Sequence, residues 1–466
     1  MIFAEKPVST VPDHALIRPK AIAHDMTRNP NRRDVLKTTA TLAAGGWLGA
    51  GSASGARGAQ DQAKAAKAGG AKSLRDVDAM LRAATHRGDL PGVVALAATD
   101  GGIVYEGAFG SRRLENEAAM TRDTVFRIAS MVKLVTSVAA LQLVEQGKLS
   151  LDAPVPAVDP AVGEPQVLDG FDDKGKPRLR PAMGPISLRQ LLTHTSGFAY
   201  RLWDAKARRY HRTIAHMPQA ERAKMPEKPL MFDPGGRWQY GGGIDWVGRI
   251  VEAISGEPVD AYFRKHITGP LGMSDTVFVL APEQSAREAG THRRRGDGTL
   301  RPLPVETRPP HPRHPPQHAF TGGGGIYSTA PDYLTLTRAL LAGGALGGVR
   351  ILRPETAALM GRNQIGDLDV GVLRTTEPAI SNDVDFFPGI TLKWGFGHMI
   401  NMEPVPGARS AGSMTWGGIL NTYYWIDPMR RVAAVFMTQV LPFADYRALQ
   451  VYRQFERGIY AAVEAG

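Results

Sequence analysis

Ser130 and Lys133 stand three residues apart in the tetrad Ser130-Met131-Val132-Lys133. Residues three apart lie on one face of a helix, so the lysine amine can reach the serine oxygen. The residues around Lys133, from Met131 to Ala140, are largely apolar, which predicts a desolvated amine that could lose its proton near neutral pH. A serine in a first helical turn also lies beside backbone N–H groups that can stabilise an oxyanion. The pattern is typical of a serine nucleophile beside its base.

The tetrad alone has low specificity, and the polar start of an ordinary amphipathic helix is the alternative. Ser-x-x-Lys is expected about once or twice by chance in a chain of this length, and serine is common at helix starts. The chain has no Gly-x-Ser-x-Gly elbow of the α/β-hydrolase type. We therefore interpret His194, in "THTSGF", as a structural residue rather than as the base of a Ser-His-Asp triad.

Secondary-structure patterns predict which elements position the tetrad. Pro91–Gly110 is typical of a β-hairpin hinged at Asp100-Gly101-Gly102, and the helix after Ser130 is expected to end at Gly147. Further predicted elements are a serine-capped helix at Ser73–Arg87, helices in "ISLRQLLTHTSGF" and "IDWVGRIVEAISG", a turn in "TGGGGIYSTAPDY" leading to a helix capped near Ser328, adjacent strands in "TYYWIDP" and "RRVAAVFMTQV", and a terminal helix. Strands at both ends with helices between them predict one sheet built from both halves, with an inserted helical lobe.

Four stretches, in order, resemble motifs of the serine β-lactamase and penicillin-binding-protein superfamily. The closer similarity is to its esterase branch, the family VIII carboxylesterases, which are related to class C β-lactamases. The stretches are Phe126–Val155 with the tetrad, "LLTHTSGF" at Leu191–Phe198, "PGGRWQYGGGIDWVGRIVEAISG" at Pro234–Gly256 and "MTWGGILNTYYWIDPMRRVAAVFMTQ" at Met414–Gln439. The similarity covers the chain from about Ser73 to the C-terminus.

The resemblance implies a fold, a chemistry and a set of site residues. It implies an α+β fold in which an antiparallel sheet flanked by helices joins an all-helical lobe, with the site between them. Ser130 is the implied nucleophile, with Lys133 and Tyr240 accepting its proton; which of these two is the base stays open. The oxyanion would be held by the N–H groups of Ser130 and Ile419, and substrate would bind along Trp416-Gly417-Gly418. An acyl-enzyme serine hydrolase of carboxylic esters is therefore expected.

Two departures from the superfamily pattern bear on the substrate. Gly242 replaces the asparagine of the common Tyr-x-Asn motif, which removes an amide that would contact an acyl amide. Trp416 stands where β-lactamases place a lysine, so the site loses a cation for a substrate carboxylate. A neutral ester is therefore expected, with β-lactamase or D-alanyl-D-alanine carboxypeptidase activity as the alternative. A third reading is a non-catalytic binding protein, in which Tyr240 and Trp416 only pack.

Composition excludes several classes of function. The chain has 466 residues and no cysteine, which excludes disulfides, thiolate nucleophiles and cysteine-ligated metals. Its net charge is +11, but no basic stripe is interleaved with aromatic residues, so nucleic-acid binding is not expected. His311, His314 and His318 lie in a proline-rich loop that cannot fix a ligand geometry. We predict no metal and no cofactor, and a small-molecule ester as the ligand.

The N-terminal region resembles an export signal. "NRRDVLK" at Asn31–Lys37 precedes the Gly/Ala-rich run Thr38–Ala53, and small residues at Ala53–Ala56 suit a signal peptidase. A twin-arginine signal implies the export machinery as a partner and a periplasmic or secreted location; a disordered basic tail is the alternative. The run is too short and glycine-rich for a stable membrane span. Met26 is an alternative start of the protein.

We divide the chain into a signal region, a linker and one hydrolase domain. The hydrolase domain contains a mixed α/β lobe and a helical lobe, and the helical lobe ends in the proline- and histidine-rich loop. The boundaries are residues 1–56 for the signal region, 57–72 for the linker, 73–466 for the domain, about 73–150 and 321–466 for the mixed lobe, about 151–320 for the helical lobe and Pro302–Gln317 for the loop.

Overall fold

The computed structural model describes residue 70, residues 72–304 and residues 320–465. The twin-arginine-type segment, most of the predicted linker and the loop histidines His311, His314 and His318 lie outside the described residues. The described residues belong to one compact unit. Among the described helices, none combines the length and the apolar composition needed to cross a membrane.

The elements follow in chain order. The strands are β1 (Gly92–Thr99), β2 (Gly102–Arg113), β3 (Ala118–Ala119), β4 (Phe126–Arg127), β5 (Gln166–Phe171), β6 (Pro177–Pro181), β7 (His292–Arg294), β8 (Leu300–Pro302), β9 (Tyr327–Ser328), β10 (Ala345–Leu346), β11 (Val349–Arg350), β12 (Leu392–Trp394), β13 (Met399–Asn401), β14 (Met414–Gly418), β15 (Thr422–Asp427), β16 (Val432–Met437) and β17 (Val440–Leu441). The helices are α1 (72–86), α2 (Val132–Glu145), α3 (Pro160–Gly163), α4 (Leu188–Leu192), α5 (Ala205–Ala215), α6 (Gln219–Arg222), α7 (Gly243–Ser255), α8 (Val259–Phe263), α9 (Pro282–Ser285), α10 (Ala330–Leu341), α11 (Pro354–Met360) and α12 (Tyr446–Ala465). A 3₁₀ turn spans Ala129–Met131 and a π-helical turn spans Arg264–Thr268.

An antiparallel sheet of eight strands lies at the centre, in the order β12-β13-β14-β15-β16-β1-β2-β3. The two halves of the chain meet where β1 pairs with β16, with Leu96 opposite Val435. Every residue of β15 and β16 is buried, so both faces of these strands are covered. The prediction of one sheet built from both halves is confirmed.

Helices cover both faces of the sheet, and α2 is the most enclosed. All its residues from Val132 to Leu143 are buried, and a helix that is apolar all round belongs inside a core. On the sheet, Tyr424 meets Tyr333 of α10 at 5.3 Å between ring centroids, and Trp425 meets Phe455 of α12 at 5.6 Å. The helix that carries Lys133 is thus held from all sides.

Several local predictions are confirmed and two need correction. The hairpin turns at Asp100–Gly102, and Gly147 has the left-handed φ of +70° expected after a helix. Ser73 does not cap its helix, because Lys72 is already helical. The prediction that residues from about 151 to 320 form an all-helical lobe needs correction, because this part of the chain also contains the β5–β6 and β7–β8 hairpins. Their short strands in proline- and arginine-rich stretches carry little alternation of apolar and polar residues, which hid them from a pattern search.

Candidate active site

Ser130 lies in the 3₁₀ turn that leads into α2. The preceding strand β4 pairs with β9, and the N–H of Ile128 donates to the carbonyl of Ile326 at 3.2 Å, which fixes the entry to the turn. Ala129 has a φ of +45°, an uncommon and strained value for alanine. Such strain beside a candidate nucleophile is typical of functional sites. The Ser130 side chain is only partly buried, so a substrate can reach it.

Lys133 lies in the first turn of α2 and is 0% exposed. Its Nζ donates to Ser130 Oγ at 3.1 Å and to the carbonyl of Gly323 at 2.6 Å. Both partners are neutral, and no carboxylate within the described ranges forms an ion pair with this amine. The expectation of a desolvated lysine in contact with Ser130 is therefore met by the geometry.

Tyr240 precedes α7 and is 1% exposed. Its ring centroid lies 5.3 Å from Lys133 Nζ, which brings the two candidate proton acceptors together. Its hydroxyl accepts a hydrogen bond from Trp416 Nε1 at 3.3 Å. The aromatic rings of His194 and Trp203 pack against Tyr240 at 4.7 and 5.2 Å. These contacts hold the phenol beside the lysine.

Trp416 and the two glycines after it are the last three residues of β14, the third strand of the sheet, which contacts the turn that carries Ser130. A Cβ added at Gly418 would lie 2.4 Å from the carbonyl oxygen of Ile128, so only glycine allows this close approach. Ile419 follows in the turn to β15, which closes through Asn421 with a φ of +63°. Ile419 therefore directly follows the glycine that approaches the segment before Ser130, and its N–H stays a predicted donor of the oxyanion hole.

His194 packs behind Tyr240 rather than beside Ser130. It is 1% exposed, its ring contacts Trp394 at 4.8 Å, and its Nδ1 accepts from the N–H of Gly241 at 3.4 Å. Burial, followed by the nearby Lys133 charge, holds the pKa of His194 well below its ordinary value. A neutral imidazole packed against Tyr240 fits the structural role that the sequence indicated.

A cavity of about 190 Å³ lies beside Trp416. Trp416 forms one of its walls, and the ring of Phe386 packs on Trp416 at 5.4 Å between centroids. The cavity is lined by Trp238, Val370, Gly371, Val372, Leu373, Val384, Asp385, Phe386, Phe387, Gly389, Ile390, Leu392 and Trp416. A mostly apolar lining with one carboxyl group suits the hydrocarbon part of an uncharged ligand.

Sequence reasoning missed three residues that contact the site. Tyr200 places its ring 5.3 Å from Lys133 Nζ, and its hydroxyl donates to Asp245 at 2.9 Å. Gly323 supplies the carbonyl that holds the lysine. Gly323 lies in the glycine-rich run "TGGGG". This run does not have the spacing of a phosphate-binding loop, so sequence reasoning assigned it no role in the site. Asp245, in the first turn of α7, was visible only as an acidic residue at a helix start.

A partly buried serine in contact with a buried lysine and tyrosine, beside an antiparallel sheet covered by helices, defines the class of serine β-lactamase and transpeptidase-like proteins. The chain belongs to the β-lactamase family, because the family model described as Beta-lactamase matches residues 77–458.

Relatives and solved structures agree with this family. The chain is 32% identical over 414 residues to monacolin J acid methylbutanoyltransferase of Aspergillus terreus, covering 84% of this chain and 96% of the relative. It is 30% identical over 417 residues to lovastatin esterase of Penicillium rubens, covering 84% and 99%. Unliganded simvastatin synthase from Aspergillus terreus superposes with a TM-score of 0.71 at 30% identity, covering 84% and 99%. These homologues are acyltransferases and an esterase on the same α+β fold, which confirms the predicted fold class.

Proposed function

We propose that this protein cleaves neutral carboxylic esters of short or medium acyl chains through an acyl-enzyme on Ser130. The observation that carries the proposal is the contact between Lys133 Nζ and Ser130 Oγ at 3.1 Å, in a site where the lysine has only neutral partners. A general base must lie within hydrogen-bond reach of the proton that it accepts, and this contact meets that requirement. Relatives that are named as an esterase and as acyltransferases support the same chemistry.

The first half of the reaction forms the acyl-enzyme. Ser130 Oγ attacks the ester carbonyl, and its proton passes to the Lys133–Tyr240 pair. The resulting oxyanion lies between the N–H groups of Ser130 and Ile419, each donor contributing roughly 3–4 kcal/mol to stabilising the transition state. The C–O bond of the ester then breaks, and the pair returns the proton to the leaving alcohol. Ser130 is left acylated.

The second half hydrolyses the acyl-enzyme. A water gives its proton to the same pair and attacks the acyl carbonyl, and the second tetrahedral intermediate releases the acid and restores Ser130 Oγ–H. The cavity beside Trp416 takes the acyl chain, because its lining is mostly apolar and it borders the tryptophan that contacts Tyr240. A site without a basic residue among the cavity-lining side chains favours neutral esters over anionic β-lactams.

The test compares esters with a β-lactam on the same protein. We expect turnover of p-nitrophenyl acetate and butyrate, slower turnover of the octanoate, and little hydrolysis of nitrocefin. Ser130→Ala lowers ester turnover by at least about 10³-fold, since the nucleophile is lost. Efficient nitrocefin turnover would instead favour the β-lactamase alternative, and an active Ser130→Ala variant would refute the acyl-enzyme.

Acyl transfer to an alcohol is a second candidate. The specific observation is the burial of both proton acceptors, with Lys133 at 0% and Tyr240 at 1% exposure, which limits the access of bulk water to the acyl-enzyme. Adding 1-butanol to a p-nitrophenyl butyrate assay and measuring butyl butyrate separates the two outcomes. A transferase forms mostly the new ester at millimolar alcohol, whereas a hydrolase forms butyric acid throughout.

We also propose that the segment with Arg32 and Arg33 directs export by the twin-arginine machinery. The support is the sequence of Asn31–Ala53 alone. Replacing both arginines by lysine in the full chain, expressed in a bacterium with this machinery, should retain the protein in the cytoplasm, while the unaltered chain leaves it. Equal distribution of the two forms would refute the signal.

A further inference from the structure

Tyr200 and Asp245 form a hydrogen-bonded pair beside the candidate catalytic lysine. Tyr200 Oη donates to Asp245 Oδ1 at 2.9 Å. The Tyr200 ring centroid lies 5.3 Å from Lys133 Nζ and 5.4 Å from the centroid of the Tyr240 ring. Burial and then the Asp245 charge raise the pKa of Tyr200 well above its ordinary value. Tyr200 thus keeps its proton and directs it to the carboxylate, so its ring rather than its oxygen faces the lysine.

Asp245 also packs directly against Gly323. A Cβ built on Gly323 would lie 1.5 Å from Asp245 Oδ1, so the carboxylate occupies the space that any side chain at 323 would need. The carbonyl of this same glycine accepts the 2.6 Å hydrogen bond from Lys133 Nζ. One carboxylate therefore supports two of the surfaces that contact the amine: the Tyr200 ring and the Gly323 carbonyl.

Gly242 leaves room for this pair. A Cβ at Gly242 would lie 3.2 Å from Asp245 Oδ2 and 3.7 Å from Tyr200 Cε1. This is the position where the common superfamily motif carries an asparagine. In this chain, Tyr200 and Asp245 occupy the space next to Gly242. Where the common motif has an asparagine, this chain therefore has a glycine and a tyrosine–carboxylate pair beside the lysine.

We propose that Asp245 and Tyr200 are positioning residues that hold Lys133 Nζ on Ser130 Oγ. Lysine has a flexible four-carbon stem, so a productive contact requires its amine to be confined. The ring and the carbonyl confine it, and the carboxylate fixes both. The proposal rests on the proposed function, because it concerns the same acyl-transfer site.

The test measures the rate at which a fluorophosphonate labels Ser130, together with kcat and KM for p-nitrophenyl butyrate. Asp245→Ala should lower kcat and the labelling rate by about 10–100-fold, since displacing a reacting group by ~1 Å has effects of this size. KM should change by less than about threefold, because no contact with bound ester is lost. Asp245→Asn keeps an oxygen acceptor for Tyr200 and should recover most of the rate.

A matched control separates positioning from general destabilisation. Tyr105 Oη donates to Asp78 Oδ1, also at 2.9 Å and partly buried, but lies elsewhere on the sheet. Tyr105→Phe and Tyr200→Phe each remove one equivalent hydroxyl. We expect only Tyr200→Phe to slow labelling, with similar small changes in the melting temperature of both.

The outcomes distinguish this proposal from the proposed function. If the unaltered protein is not labelled, the acyl-transfer function itself fails. If it is labelled and both Asp245→Ala and Tyr200→Phe react at its rate, only the positioning role is overturned. The role is also overturned if Tyr105→Phe loses as much activity as Tyr200→Phe. If Asp245→Ala does not fold, the pair of tyrosine variants decides the question.

Discussion

Lys133 and Arg409 are both 0% exposed cationic residues, yet their partners differ in kind. The Arg409 guanidinium donates to both carboxylate oxygens of Glu456, at 2.6 and 3.0 Å. The Lys133 amine meets only neutral oxygens among the described residues, those of Ser130 and Gly323. A buried charge without a counter-charge is costly, whereas a neutral amine in the same place is not. The arginine therefore has a fixed counter-charge, whereas the lysine faces the hydroxyl whose proton we propose that it accepts.

The two regions also differ in what they join. Arg409 precedes β14 and Glu456 lies in α12, so their ion pair ties the segment before this strand to the terminal helix. Burial alone lowers the pKa of Arg409, but the Glu456 carboxylate and Tyr452 raise it above its ordinary value. The guanidinium also lies 5.0 Å from the ring of Phe387, which lines the cavity beside Trp416. The comparison separates a buried cation held by a carboxylate from a buried amine held by neutral oxygens; we propose that the first serves stability and the second the chemistry of Ser130.

The largest expected effect comes from removing the cation with neutral partners. Lys133→Met should lower kcat for p-nitrophenyl butyrate by at least about 10³-fold, because Ser130 loses its base. The free energy of unfolding should stay within about 1–2 kcal/mol of the unaltered protein, since no opposite charge is left unpaired. Ester kinetics and urea denaturation on the same sample measure both quantities. If Lys133→Met lost as much stability as we expect for Arg409→Met, the contrast between the two buried cations would be wrong.

The second prediction concerns the Arg409–Glu456 ion pair, where a substitution should lower stability much more than activity. Arg409→Met should lower the free energy of unfolding by about 3–5 kcal/mol, because Glu456 is left as a buried unpaired charge. The ester kcat of the folded protein should fall far less than in Lys133→Met. Urea denaturation measures the loss.

The double variant Arg409→Met with Glu456→Leu serves as the control for the second prediction. It removes both charges and should recover most of the lost stability, since an apolar pair of similar volume avoids the desolvation cost. If the double variant is as unstable as the single one, the arginine stabilises through packing against aromatic rings rather than through its charge.

Sequence could predict one of these cations and not the other, because of how far apart their partners lie. Ser130 and Lys133 are three residues apart, so helical geometry alone brings them together. Arg409 and Glu456 are 47 residues apart, on a loop and a helix whose docking no local pattern encodes. Tyr240 and Trp416 are also far from Ser130 in sequence, and only the resemblance of the ordered motifs indicated them; that resemblance assigned no contact between Asp245 and Gly323.

The fold was predictable wherever apolar periodicity was strong. The β1–β2 hairpin, α2, α7 and the β15–β16 pair carry long, regular patterns and were predicted as found. The β5–β6 hairpin was missed, since its strands carry charged residues and a proline at each end of β6. Burial of such strands depends on neighbours from elsewhere in the chain, and that information is not in a short window.

The third prediction extends the comparison to His398, another buried basic side chain whose hydrogen-bond partner is neutral. His398 is fully buried, and its Nε2 faces the carbonyl of Met360 at 3.0 Å. Burial lowers the pKa of His398 to about 4, although the Met360 carbonyl acts in the opposite direction. Below pH 6.5, His398 binds a proton in the unfolded chain but not in the native state. The free energy of unfolding therefore falls as the pH falls. The loss should reach roughly 3 kcal/mol near pH 4.

Urea denaturation between pH 7 and pH 4 measures this loss, with His398→Gln as the comparison variant. Glutamine keeps an N–H donor for the Met360 carbonyl but has no titrating group, so the pH dependence of its stability should be flatter by the same roughly 3 kcal/mol. If the free energy of unfolding depended on pH in the same way in both proteins, His398 would accept a proton in the native state. Burial beside a neutral partner would then not be enough to keep this imidazole uncharged.

The smallest effect concerns the neutral donor at the second candidate proton acceptor. Trp416 Nε1 donates to the Tyr240 hydroxyl at 3.3 Å, and Trp416→Phe removes that N–H while keeping an aromatic ring against Phe386 and Trp394. A single neutral hydrogen bond contributes about 0.5–1.5 kcal/mol, so kcat should fall by about 2–10-fold with KM for the acetate nearly unchanged. Because Trp416 is a wall of the cavity, the smaller ring should also shift the chain-length preference toward the octanoate. Ester kinetics with acetate, butyrate and octanoate substrates measure all three. An unchanged kcat with an altered chain-length preference would make Trp416 a wall of the cavity only, and Tyr240 would then depend on its ring contacts alone for its orientation.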